Sequence, residues 1–191
     1  MRHTIGLSVG PPSDSTGLVA IETNDRQHAV RRIQRFPPGT AYSAMHSTIE
    51  KILDALDSPI VVLDRTGIGT PIADTFRFSK ASTIPVVLTA GEQDTASRPR
   101  RLPRRDVADL LQLALQELRL TVARVPLAED LARDLRVFNP KPGTGAPGEL
   151  AWRDRPSDDL VLALAVALSE ADRGPVRASV VYVTQPRGRI I

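Results

Sequence analysis

The sequence predicts an α/β fold in which a mixed sheet, an antiparallel three-stranded meander continued by parallel strands, is flanked by helices. Three observations predict it. Three strand-like segments come before any helical periodicity. One continuous apolar run, Pro59-Ile60-Val61-Val62-Leu63, is closed by a carboxylate, Asp64. Near the end, residues 160–168 are apolar all round, as in a helix buried on most faces. At 191 residues, 41% hydrophobic and 25% charged, the chain suffices for one sizeable core but not two. A single domain over 1–191 is expected, with a core from about 4 to 172 and a tail over 173–191.

Residues 4–9 read as the first strand, ended where Gly10-Pro11-Pro12-Ser13-Asp14 breaks the ladder. Residues 17–22 and 29–36 read as the next two, with Asn24-Asp25 as the turn between them. Met45, Ile49, Ile52, Leu53 and Leu56 recur on one helical face, predicting an amphipathic helix over 41–56 with Thr40 as N-cap. The run ending in Asp64 is a buried central strand that delivers an acid at its carboxyl end, where open α/β sheets place their sites. A short helix over 71–76 and a buried strand over 84–89 follow. Val107, Leu110, Leu111, Ala114 and Leu118 predict a second amphipathic helix from Asp106, residues 120–123 a brief strand, and Leu127, Leu131, Leu135 and Phe138 a third helix. Residues 139–149, with three prolines and three glycines, read as a mobile loop, and residues 176–184 as an edge strand.

The chain has no cysteine, which excludes disulfides and thiolate metal sites. Met1-Arg2-His3-Thr4 leads into no signal peptide, and the longest apolar run is too short to span a bilayer. A cytoplasmic protein without membrane contact is expected. Basic residues exceed acidic ones by 25 to 22, and a charge of +3 says little about a polyanionic partner. The distribution says more: Arg98, Arg100, Arg101, Arg104 and Arg105 crowd one stretch, which is either a solvated loop or a patch for phosphates.

Three acidic points lie where an element end would expose them at one sheet edge: Asp14 after the first strand, Asp64, and the pair Asp158-Asp159 at the start of the apolar helix. Clustered carboxylates repel unless a cation sits between them, and a hard, oxygen-preferring ion such as Mg²⁺ or Mn²⁺ suits that donor set. Two such ions roughly 4 Å apart would support phosphodiester hydrolysis. Each acid also has an ordinary structural use. Asp158 is a natural N-cap and Asp14 a natural Asx-turn residue, while Asp64 at the end of an apolar strand is harder to account for that way.

Several segments resemble the nuclease domain of phage terminase large subunits. Ile5-Gly6-Leu7-Ser8-Val9-Gly10 with Asp14-Ser15-Thr16-Gly17-Leu18-Val19 looks like that family's opening strand, turn and second strand. Val61-Val62-Leu63-Asp64-Arg65-Thr66-Gly67-Ile68-Gly69 is similar to its second acidic strand and Asp-x-Thr-Gly-x-Gly loop, the most specific match. Pro103-Arg104-Arg105-Asp106-Val107 resembles its Pro-Lys-x-x-Leu helix start, and Ser157-Asp158-Asp159-Leu160-Val161 its His-Asp-Asp-Leu-Val helix. The resemblance implies a ribonuclease H-like fold and two-metal cleavage of double-stranded DNA during genome packaging. Asp64 would hold one ion, Asp158 or Asp159 the other, and Asp14 would be an auxiliary acid. Ser8 stands where the family's first metal-binding aspartate belongs, and a neutral hydroxyl is a poor substitute for a carboxylate that touches two cations. Ser157 likewise replaces a histidine. No Gly-x-x-x-x-Gly-Lys-Ser/Thr loop is present, so a terminase ATPase would come from another chain, as would a portal protein. The expected function is a metal-dependent DNA endonuclease impaired at Ser8. The alternatives are an inactive domain of the same fold that binds DNA or a packaging partner, and, matching fewer residues, another ribonuclease H-like enzyme such as a junction resolvase.

Overall fold

A computed structural model describes residues 1–66, 68, 70–90, 96, 98–138 and 158–173. The meander comes first: β1 (Arg2–Ser8), β2 (Thr16–Asn24) and β3 (Gln27–Phe36). It is followed by α1 (Tyr42–Leu53), β4 (Ile60–Asp64), α2 (Thr70–Thr75), β5 (Ser82–Thr89), β6 (Arg100–Pro103), α3 (Arg104–Gln116), β7 (Leu120–Val122), α4 (Ala128–Val137) and α5 (Asp159–Ala171). The strands form one sheet in the order β6-β5-β4-β1-β2-β3-β7. Pairing within the meander is antiparallel, whereas β4 joins β1, β5 joins β4, β6 joins β5 and β7 joins β3 in parallel. The predicted mixed sheet is thus observed.

The strand alternation divides the core into two layers. Val19, Val30, Ile33, Val62, Val86 and Leu88 face α3, α4 and α5, while Leu7, Leu18, Val61 and Leu63 face α1 and α2. Helix α5 lies directly on the sheet, buried from Leu160 through Leu168, as its all-round apolar sequence requires. Two glycines permit that approach. A Cβ on Gly6 would sit 1.8 Å from the Ala163 carbonyl oxygen, and one on Gly17 2.4 Å from that of Asp159.

A bulge in β3 sets the phase of its side chains. Ala20 pairs with Arg32 and Ile21 with Val30, so Arg31 is the extra residue. His28 and Val30 before the bulge, and Ile33 and Arg35 after it, consequently face the same α5 layer.

Several boundaries differ from expectation. The β2–β3 turn is Asp25-Arg26, both left-handed (φ 44° and 65°), and Asn24 belongs to the ladder opposite Gln27. Thr40 is not the cap of α1. The N-cap position is Ala41, and the Thr40 hydroxyl instead donates to the Pro37 carbonyl at 2.7 Å. The arginine-rich stretch is not a loop, since Arg100–Pro103 form edge strand β6 and Arg104 opens α3. Its parallel pairing with β5 secures Leu102 in the core, a strand too short to show a period in sequence. The 139–149 loop, Ser157, Gly67, Gly69 and the 176–184 strand lie outside the described residues. No helix among the described residues is long and apolar enough to cross a membrane.

Candidate functional site

The carboxyl ends of β1 and β4 meet in register, Ser8 beside Asp64, both on the α5 face and both fully buried. The Ser8 hydroxyl donates to Asp64 Oδ2 at 3.5 Å, a marginal contact. Asp64 Oδ1 accepts two hydrogen bonds from the loop that follows, from the Thr66 amide at 2.9 Å and the Thr66 hydroxyl at 2.6 Å. That hydroxyl in turn accepts the Leu88 amide of β5 at 2.8 Å, so one threonine ties the acid to the neighbouring strand. A buried carboxylate needs such partners.

Gly17, opposite Ser8 in the β1–β2 ladder, brings the start of α5 to the same edge, because the Asp159 backbone rests where its side chain would be. Asp158 holds the N-cap position, 6% exposed, yet its φ and ψ (−77°, −6°) are helical and its side chain makes no capping hydrogen bond. The capping role anticipated for it is therefore not performed.

Asp159 is fully buried and held by Arg35 of β3. The Arg35 Nε donates to both carboxylate oxygens, at 3.2 and 3.0 Å, and Nη2 donates to Oδ1 at 2.8 Å. The same Nη2 donates to Asp134 of α4 at 2.8 Å. Burial works against the Arg35 charge, but its bonds to Asp159 and then Asp134 outweigh this and raise its pKa. Arg35 escaped the sequence reading. The signal was the apolar pattern itself, since Val30 and Ile33 are out of phase for a regular strand and only a bulge turns Arg35 inward.

Asp14 sits in the β1–β2 turn at this edge. Its amide donates to the Pro11 carbonyl at 2.9 Å, and its carboxylate accepts the Ser15 amide at 2.7 Å, as expected of a turn aspartate. Among the described residues, no three His, Asp or Glu side chains stand close enough to share one ion.

The arginines expected at phosphates separate into different environments. Arg100 is 15% exposed and paired with Glu170 of α5 at 2.7 Å. Arg98 and Arg101 are exposed, Arg104 is half-buried at the start of α3, and Arg105, 90% exposed, lies 3.6 Å from Asp109.

No sequence-family model matches the chain, and no curated protein matches it. Solved structures do. The large terminase nuclease of thermophilic phage G20c with bound magnesium is 19% identical and covers 88% of this chain and 81% of its own, with a TM-score of 0.62. That nuclease has also been solved with cobalt and with zinc. The manganese-soaked terminase nuclease domain of human cytomegalovirus is 14% identical, covering 87% and 81%, with a TM-score of 0.56. The large terminase nuclease domain of bacteriophage SPP1 with bound manganese is 13% identical, covering 89% and 86%, with a TM-score of 0.55. The chain has the mixed, ribonuclease H-like fold of the large terminase nuclease domains.

Proposed function

We propose that the chain is a terminase-type nuclease-fold domain that engages double-stranded DNA in packaging without cutting it by a two-ion reaction. One observation carries this reading: where the resemblance expects the first metal-binding aspartate, β1 ends in Ser8, whose neutral hydroxyl faces Asp64. Two hard cations need carboxylates to share between them. The residues present do not fit that requirement. Ser8 brings no charge, Asp159 is occupied by Arg35, and Asp14 is engaged by its own turn. Metal occupancy of Asp64, Asp158, Asp159 and Asp14 is accordingly not part of this reading. DNA contact is assigned to the exposed Arg98, Arg101 and Arg105 at β6 and the start of α3, with Arg100 serving structure. A terminase ATPase and a portal protein are the further partners this reading expects.

A second reading, a Mg²⁺- or Mn²⁺-dependent endodeoxyribonuclease using Asp64 and Asp158, has one observation in its favour. Both carboxylates belong to buried residues at the same sheet edge, and burying acids there costs stability that a ligand would offset.

Supercoiled plasmid incubated with the protein and Mn²⁺ distinguishes the two. The first reading expects intact plasmid, together with duplex binding in EDTA that weakens steeply as salt rises. Cleavage that Asp64→Ala abolishes would establish the second reading instead. A protein that neither binds nor cuts would refute both.

A further inference from the structure

A groove of about 280 Å³ lies where the last turn of α1 meets β1, β2 and β3, toward the amino end of β1. Ala20 and Ile52 form its buried floor, with the exposed Ala55 and the half-buried Leu56 as an apolar rim. The β3 bulge sets the charge beside that floor. Cross-strand partners share a face, and Arg32 pairs with Ala20, which packs in the α1 layer, so Arg32 emerges on the α1 side. Arg31, the extra residue, lines the same groove, and its guanidinium reaches Glu22 at 3.0 Å. Regular alternation would send successive arginines to opposite faces, whereas the bulge brings both to this one. Lys51, in the last turn of α1, adds a third cation.

The positive charge is not neutralised from within. Glu22 is the one acid among the lining residues, and Arg31 takes it. The acids at the end of α1 are engaged elsewhere, Glu50 with His46 and the Ser79 amide, and Asp54 with Lys80 at 2.7 Å. Among the described residues, neither Arg32 nor Lys51 forms an ion pair, and both are exposed. The groove therefore sets unmatched cations beside an apolar floor.

We infer that this groove docks a segment of a partner protein in which acidic and apolar residues are interleaved. Its carboxylates would meet Arg32 and Lys51, and an apolar side chain would enter between Ala20 and Leu56. Charge complementarity calls for an anion, and the floor decides which kind. The backbone of duplex DNA answers the cations with phosphate and sugar but brings nothing apolar to a concave floor, whereas a peptide supplies both. Strands β2, β1, β4 and β5 separate β3 from β6, so the groove is distinct from the arginines assigned to DNA. The inference goes beyond the DNA-binding reading and does not depend on it.

The test is an amide chemical-shift titration of the ¹⁵N-labelled natural protein at low salt with a short synthetic peptide of alternating Glu and Leu. Shifts should concentrate at residues 20–22, 30–32 and 51–56, and binding should weaken as salt rises. Arg32→Ala and Lys51→Ala should each weaken it by about two- to fivefold, the range of an exposed ion pair. Neither should change the melting temperature, since neither side chain has a charged partner to lose. The double charge reversal, Arg32→Glu with Lys51→Glu, should reject this peptide and accept one of alternating Lys and Leu. No shift in these segments at millimolar peptide would overturn the inference, as would unchanged binding in the charge-reversed variant. Equal affinity for oligoglutamate would overturn it by showing that the apolar floor plays no part. Duplex DNA that shifts the same amides at equal or lower concentration would assign the groove to nucleic acid instead.

Discussion

Asp64 and Asp159 are both fully buried, stand at the same edge of the sheet and face the same layer, yet the fold handles their charges differently. Asp159 is answered by a guanidinium that grips both its oxygens and reaches on to Asp134, so β3, α4 and the start of α5 are joined at one point. Asp64 takes hydrogens from a serine hydroxyl and from the amide and hydroxyl of Thr66. Charge pairing makes the first a structural anchor. The second is oriented within its own loop, by the amide and hydroxyl of Thr66, two residues on. Equal burial does not mean equal role.

The contrast can be broken by substitution, and the largest effect is expected where α5 meets the sheet. Gly6→Ala drives a methyl against the Ala163 carbonyl and should cost more than about 3 kcal/mol of unfolding free energy, the upper range for overpacking. A small cost in urea denaturation would mean that α5 is not seated as described. Arg35→Ala leaves two carboxylates without their shared cation. Because Arg35 is itself partly exposed, the cost should fall near the low end for a broken buried pair, about 3 kcal/mol. Arg35→Lys should recover only part of this, since an ammonium cannot reproduce the forked contact.

A direct comparison comes next. Asp159→Asn should destabilise by about 2–3 kcal/mol because Arg35 keeps only Asp134 as a charged partner and one of its forked contacts is lost, whereas Asp64→Asn keeps its size and an acceptor oxygen for Thr66 and should cost about 1 kcal/mol or less. Equal costs would erase the distinction between the two aspartates.

The smallest effect belongs to the far end of α5. There His28 is buried, with Nδ1 3.0 Å from the Thr23 hydroxyl and Nε2 3.3 Å from Asp172, which also accepts from Arg119 at 2.6 Å. Desolvation lowers the His28 pKa below 6.5, only partly opposed by Asp172, while Arg119 and Arg2 lower it further. The unfolded chain therefore takes up this proton at higher pH than the folded one. Stability contributed by neutral His28 is present above about pH 6.5 and is lost as pH falls through the lower folded value. Denaturant midpoints measured from about pH 7.5 down to 5.5 should decline, and His28→Gln should flatten that decline. An unchanged slope in His28→Gln would assign the pH dependence to other groups.

How legible this was in the sequence depended on which force set each feature. The meander, the strand ending at Asp64 and the buried α5 were readable because hydrophobic periodicity sets them, and periodicity is written locally. Edge strand β6 was hidden, since four residues rich in arginine acquire strand geometry only by pairing with β5. The Thr40 cap failed because α1 begins one residue later than expected, which leaves Ala41 at the N-cap position. In the site, residue identity located Asp64, Ser8 and Asp158 at one edge. What identity did not reveal was the capture of Asp159 by Arg35, which depends on the Arg31 bulge and on a contact between residues 124 positions apart. Long-range charge pairing leaves no spacing signature. The mismatch of phase between Val30 and Ile33 was its one local trace.

The central claim is that Ser8 leaves this edge short of a carboxylate for a two-ion reaction. Mn²⁺ titration followed by electron paramagnetic resonance of the free ion tests it without relying on turnover. The natural protein should retain little Mn²⁺ at micromolar concentration, and Ser8→Asp, placing a second carboxylate beside Asp64, should bind it at least about tenfold more tightly, in a manner that Asp64→Asn reverses. Tight binding of two ions by the natural protein, unimproved in Ser8→Asp, would contradict the account.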